Sequence, residues 1–155
     1  MTTLGDGKKC GGICGKLGLK PVTKNNILYY YFPLQSLVSY SALSMNVMNP
    51  SIAVKLLPKR DLTNFLLIHT IVGSTLYIYS RPHLQSAENS KKLAYSLTGG
   101  CLFSFGSVLI WAVLKSTLPK DQSCVATIAG LASGVAIVKM ATDYFNHVDS
   151  TVAKK

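Results

Sequence analysis

Residues 93–114 read LAYSLTGGCLFSFGSVLIWAVL, 22 positions without a charge. As a helix rising about 1.5 Å per residue, such a run crosses the roughly 30 Å of hydrocarbon in a bilayer. Two runs of the same kind precede it, 22 residues over 27–48 and 19 over 62–80. A fourth, 122–142, is interrupted only by Lys139 near its end, where a long stem can carry the ammonium to the interface. Lipid offers the backbone no hydrogen bonds, and none of the runs has the alternation of a barrel strand, so all four are expected as helices. The reading is an all-α membrane protein with four transmembrane helices arranged as two helical hairpins. The spans are 27–48, 62–80, 93–114 and 122–142, within a membrane domain of 27–145.

The rest of the composition agrees. Of 155 residues, 48% are hydrophobic and 14% charged, against roughly a quarter charged in soluble domains, and mean hydropathy is +0.30. That excludes a disordered chain, and the length excludes an ordinary two-domain enzyme. A soluble helical bundle is the alternative, but its helices would carry charged faces at helical spacing. Sixteen basic residues against six acidic give a formal charge of +10. The basic residues punctuate the uncharged runs and do not form a patch, so they call for no nucleic-acid partner.

Residues at the run ends behave as membrane punctuation. Tyr29, Tyr30 and Tyr31 open the first span, Tyr77 and Tyr79 close the second, and Trp111 lies near the end of the third, which suggests two aromatic belts. Asn49-Pro50 stops the first helix and Arg81-Pro82 the second, while Asp61 and Ser123 are candidate caps. The first span is the most polar, with Pro33, Gln35, Asn46, Ser36, Ser39, Ser41 and Ser44. It is expected to pack against protein on more than one side; the alternative is an interfacial segment and three spans. With four spans, ten basic residues lie on the side of the termini and second loop, and five on the other. Both termini are therefore expected in the cytosol or the mitochondrial matrix. Residues 1–26 form a Gly- and Lys-rich tail expected to be flexible, without the features of a secretory or transit segment, and 146–155 a short polar tail. Leu57-Pro58-Lys59 recurs as Leu118-Pro119-Lys120, with Gly73 and Gly134 equally far beyond, the pattern of a repeated hairpin or of two similar turns.

Small residues give the most specific motif. Ala126, Gly130 and Gly134 recur every four positions in the fourth span, and Ser96, Gly100 and Ser104 do the same in the third, faces that let helices approach closely. Whether the partner helix is internal is left open. His69 lies deep in the second span, with Gly73 and Tyr77 on the same face, and needs a partner or a wet cavity. It is expected as a neutral histidine hydrogen-bonded to the first span; a transport pathway lined by the His69 face is the alternative. Lys139 and Asp143 are spaced to pair. Cys10 and Cys14 in the basic tail are candidate lipidation sites, while Cys101 and Cys124 fall in spans, so no metal site is expected. Gly11-Gly12-Ile13-Cys14-Gly15-Lys16 lacks the glycine placement and following Ser or Thr of a phosphate loop. No catalytic constellation or cofactor motif is present, and Asn49-Pro50-Ser51 is a blocked sequon.

Thr98-Gly99-Gly100-Cys101 and the Val138-Lys139-Met140 ending resemble the four-helix family of mitochondrial inner-membrane translocase subunits and complex I accessory proteins. The resemblance covers a minor part of the chain, and the first two spans depart from the family's small-residue pattern, so it implies a compartment only. Together with the missing sequon it favours the mitochondrial inner membrane over the endoplasmic reticulum. The expected role is a non-enzymatic structural, accessory or assembly subunit of a membrane complex. Its partners would be the bilayer and a membrane protein or a second copy; a small transporter or channel is the alternative.

Overall fold

In a computed structural model of the protein, residues 23–51, 62–119 and 123–154 are described, and every regular element among them is helical. Helix α1 is Phe32–Met48, led in by Lys24–Asn26 and a π-helical turn, Ile27–Tyr31. Helix α2 is Leu62–Tyr79, α3 is Asn89–Thr117 and α4 is Ser123–Val152, with a 3-10 turn, Pro82–Leu84, between α2 and α3. The tail 1–22, the Asp61 cap and the Leu57-Pro58-Lys59 turn lie outside the described residues.

Local chemistry explains the ends. Thr23 Oγ1 accepts from the Asn26 backbone N–H at 3.3 Å and starts the helix. Pro33 has no N–H to give and its ring crowds the preceding turn. The ladder loosens just before it into π geometry, where the Phe32 N–H reaches back to the Ile27 carbonyl, so the chain stays helical through the proline. Asn49 leaves helical geometry at φ −137° and ψ 82°, as a residue before proline tends to. Arg81, before Pro82, is extended for the same reason. Helices α3 and α4 have 29 and 30 residues and outrun the uncharged stretches, because a helix that leaves hydrocarbon can continue through the headgroups. The C-terminal 146–155 segment is thus helical to Val152.

Neighbouring helices run antiparallel. Helix α2 packs on both α1 and α3, and α4 packs more extensively on α1 than on α3. The consecutive pair α3–α4 is therefore the loosest, and the bundle is closed by α4 against α1 rather than by two tight hairpins. Helices α2, α3 and α4 are long and apolar enough to cross a membrane. With 17 residues, α1 is shorter, yet it lies along α2 from the Asn46–Thr63 hydrogen bond to the Tyr29–Tyr79 stack.

The packing is inside-out relative to a soluble domain. Ser44, Ser96 and Ser104 are fully buried, while Val38, Leu102 and Met140 are 70%, 70% and 73% exposed. In water that arrangement would be destabilising; in lipid the tails cover the large apolar groups, and small residues permit close helix approach. Ser96 and Thr70 bond to their own helix, to the Lys92 carbonyl at 2.7 Å and the Leu66 carbonyl at 2.8 Å, whereas the buried Ser104 hydroxyl has no hydrogen-bond partner among the described residues. Trp111 is not part of a belt. It is fully buried, its ring 4.9 Å from that of Tyr40, because the face carrying Ser96, Gly100, Ser104 and Ser107 turns it inward at the next helical step.

Candidate functional site

The small-residue faces meet partners inside the chain. A Cβ on Gly100 would overlap Thr75 of α2, and one on Gly130 would come within 2.7 Å of Met48 Cγ of α1. Gly134 faces Tyr40 and Trp111, and Ala126, Ser96 and Ser104 are buried. The tightest approach lies outside the two small-residue stripes, at the glycine one turn beyond His69: a Cβ on Gly73 would overlap the Ser36 side chain. Gly73 and Gly134 thus both carry contacts to α1.

The polar residues of the first span divide their hydrogen bonds: Ser36, Ser41 and Ser44 bond to carbonyls of their own helix, and Ser39, Tyr40 and Asn46 bond across the bundle. Ser39 Oγ and His69 Nδ1 are 2.8 Å apart. His69 also sits between Phe32 and Phe65, with ring centroids 5.0 and 6.2 Å away. Tyr40 donates to Ser107 Oγ at 3.0 Å, Asn46 Nδ2 to Thr63 Oγ1 at 2.6 Å, and Asn49 Nδ2 to Ser123 Oγ. His69 and Tyr77 share a face of α2 but not a site, since Tyr77 turns to Arg81 at the helix end.

Where α1 and α4 part, towards the Tyr29 and Phe145 ends, they leave an apolar groove of about 310 Å³. Its walls include Leu34 and Leu37 of α1, Tyr77 of α2, and Val138, Ala141 and Phe145 of α4. His69 is not among its lining residues. At its polar end lies a cluster that ties the α2–α3 turn to the last turns of α4. Arg81 Nη1 donates to Asn146 Oδ1 and Asp149 Oδ2, both at 3.1 Å, and Nη2 donates to Tyr77 Oη. The guanidinium carbon lies 4.4 Å from the Tyr77 ring centroid and 5.8 Å from that of Phe145. Asp149 Oδ1 also accepts from the His83 backbone N–H at 3.2 Å and from His83 Nδ1 at 2.6 Å. Because a carboxylate only accepts, Nδ1 carries the proton. Burial pushes the Asp149 carboxyl up, but the His83 hydrogen bonds and the charges of His83 and Arg81 outweigh it and hold the group below its usual range. Nearby, Lys92 Nζ donates to Gln85 Oε1 at 2.9 Å and lies 4.1 Å from the Tyr79 ring centroid.

Among the described residues no group of His, Cys, Asp or Glu is arranged to hold a metal ion, and Cys101 and Cys124 are free thiols. Cys10 and Cys14 lie outside the described residues. Lys139 and Asp143 form no ion pair; both are exposed on α4, where each can reach headgroups independently. The reading by runs and spacing missed the Arg81–His83–Asp149 cluster. Two local signals bear on it: Tyr77 and Arg81 stand one helical turn apart, and so, nearly, do Asn146 and Asp149. Their meeting depends on tertiary packing across 68 residues.

No family model, curated protein or solved structure matches the chain. Among the described residues it is an all-helical bundle with three helices long and apolar enough to cross a membrane.

Proposed function

We propose that the protein is a four-crossing, non-enzymatic subunit of a larger membrane assembly, acting as an accessory or assembly element. The observation that carries the reading is the large apolar surface left on the outside of a bundle whose small-residue faces are already closed internally. Gly73, Gly100 and Gly130 are used in internal contacts, so the bundle is a self-contained unit. Large apolar side chains such as Leu102, Leu109, Ile128 and Val135 are exposed on its outside, available to lipid or to neighbouring spans. The fourth crossing is supported by α1 lying along α2 with cross-helix hydrogen bonds at Ser39 and Asn46. A mitochondrial inner-membrane location is part of the proposal and rests on the Thr98-Gly99-Gly100-Cys101 resemblance. The test is purification of the tagged chain in mild detergent from fractionated membranes, followed by native mass measurement. Stoichiometric recovery with a membrane-protein partner is expected; recovery as a monomer or small homo-oligomer would overturn the reading.

A further inference from the structure

The seam between α1 and α4 is open along much of its length, with a space of about 280 Å³ beside Ser44 and Leu131 and the apolar groove towards Tyr29 and Phe145. A cation stands behind two of the groove's wall residues. Arg81 lies over Tyr77 and Phe145, both of which line the groove wall. Three guanidinium hydrogen bonds go to Asn146, Asp149 and Tyr77, while Nε is buried with no partner. A guanidinium has five N–H donors in a planar fork suited to phosphate and carboxylate, so its capacity is not exhausted. The surrounding end of the bundle is basic: Lys24, Arg81, Lys91, Lys92 and Lys154 outnumber Glu88, Asp143 and Asp149. We propose that the groove holds one acyl chain of an anionic phospholipid, with the phosphate at Arg81.

Size and setting choose this occupant. A packed helix about 10 Å across fills roughly 400 Å³ per 5.4 Å turn, more than the whole groove of about 310 Å³; an acyl chain is a single methylene wide. The walls from α2 and α4 belong to helices of membrane-crossing length, and the α1 wall lies along α2, so the groove faces hydrocarbon, where acyl chains are the most abundant apolar species. The aromatic rings at its mouth, Tyr29 and Tyr77, are of the kind that sits at headgroup level. The phosphate of a seated lipid would therefore meet the Arg81 end of the groove rather than the Ser123 end.

Trp111 is the one tryptophan in the chain and therefore a reporter. It contacts Tyr40, a groove-lining residue, within the short range over which bromine quenches indole fluorescence. The full chain would be reconstituted in phosphatidylcholine vesicles containing a small fraction of either brominated phosphatidylglycerol or phosphatidylcholine brominated on the same chains. Phosphatidylglycerol is expected to quench at about fivefold lower mole fraction, the preference produced by one basic residue at a membrane surface. Arg81→Gln should remove that preference, and Ala141→Phe, which fills the wall, should remove the excess quenching by phosphatidylglycerol. Equal quenching by the two lipids in the unaltered chain, or quenching insensitive to Ala141→Phe, would overturn the proposal. So would a dimer that Ala141→Phe dissociates, which would assign the groove to a second copy. Should Arg81→Gln fail to fold, the headgroup comparison in the unaltered chain and the Ala141→Phe result decide the matter. The proposal needs only helices that span the bilayer, so its failure and that of the accessory-subunit reading are separate results.

Discussion

Replacing Gly73 with alanine adds one methyl at the narrowest point between α1 and α2, and the structure supplies its own control. A Cβ at Gly73 would overlap the Ser36 side chain, whereas nothing lies within 4 Å of a Cβ at Gly106. Both glycines are in helix interiors, so both substitutions gain similar helix propensity, about 1 kcal/mol. That gain cancels in the comparison, and the difference between the variants isolates the overpacking, about 1–3 kcal/mol. Gly106→Ala should leave stability unchanged or raised, and Gly73→Ala should fall below it by that amount. Ser36→Gly combined with Gly73→Ala should recover the overpacking, less roughly 0.5–1 kcal/mol for a glycine in the interior of α1, since it removes the atoms that the new methyl meets. Reversible unfolding in mixed micelles, followed by helical circular dichroism, measures all four proteins. Equal stability of Gly73→Ala and Gly106→Ala would refute the assignment of this contact as the tightest in the bundle.

Three further outcomes follow from named groups. Asp149 has a folded-state pKa below its unfolded value of about 3.9. Its stabilising contribution is thus present above that value and lost as pH falls through the lower one; thermal melts should hold between about pH 7 and about pH 5 and drop in acid, and an unaltered acid limb in Asp149→Asn would contradict this. Tyr40→Phe removes the donor to Ser107 but leaves Ser107 bonded to the Phe103 carbonyl, so it should cost about 0.6 kcal/mol, the average for hydrogen bonds between membrane helices; a loss above about 2 kcal/mol would show that the hydroxyl does more. Trp111 is fully buried, so its emission should be blue-shifted and insensitive to aqueous iodide, whereas efficient iodide quenching would return it to an interfacial belt.

Much of the architecture is readable from charge spacing alone, and its failures have physical causes. Uncharged runs locate α2, α3 and α4 because hydrocarbon excludes charge, but they measure the slab and not the helix. Lys91, Lys92, Asp143 and Asp149 extend the helices into a zone where charge is tolerated. The polar residues of α1 weaken its hydropathy signal, since a window average does not register that Ser39, Tyr40 and Asn46 bond to His69, Ser107 and Thr63. For Trp111, position near a run's end suggests the interface, while its phase relative to Ser96, Gly100, Ser104 and Ser107 turns it inward. The stripe at Ala126, Gly130 and Gly134 is visible by spacing, but spacing does not name the partner, which is α1 at Gly130. Arg81 and Asp149 are far apart in sequence and joined only when α4 closes on the α2–α3 turn.

Whether α1 crosses the membrane beside α2, as proposed from its contacts at Ser39 and Asn46, is decided by side-specific cysteine labelling. In a chain whose four cysteines are replaced by serine, single cysteines are placed at Thr23, Ser51, Ser86 and Thr151 and exposed to an impermeant maleimide in sealed, oriented vesicles. For a four-crossing chain, Thr23→Cys, Ser86→Cys and Thr151→Cys are expected to label from one side and Ser51→Cys from the other. Labelling of Thr23→Cys and Ser51→Cys from the same side would contradict that crossing and leave α1 lying in the interface.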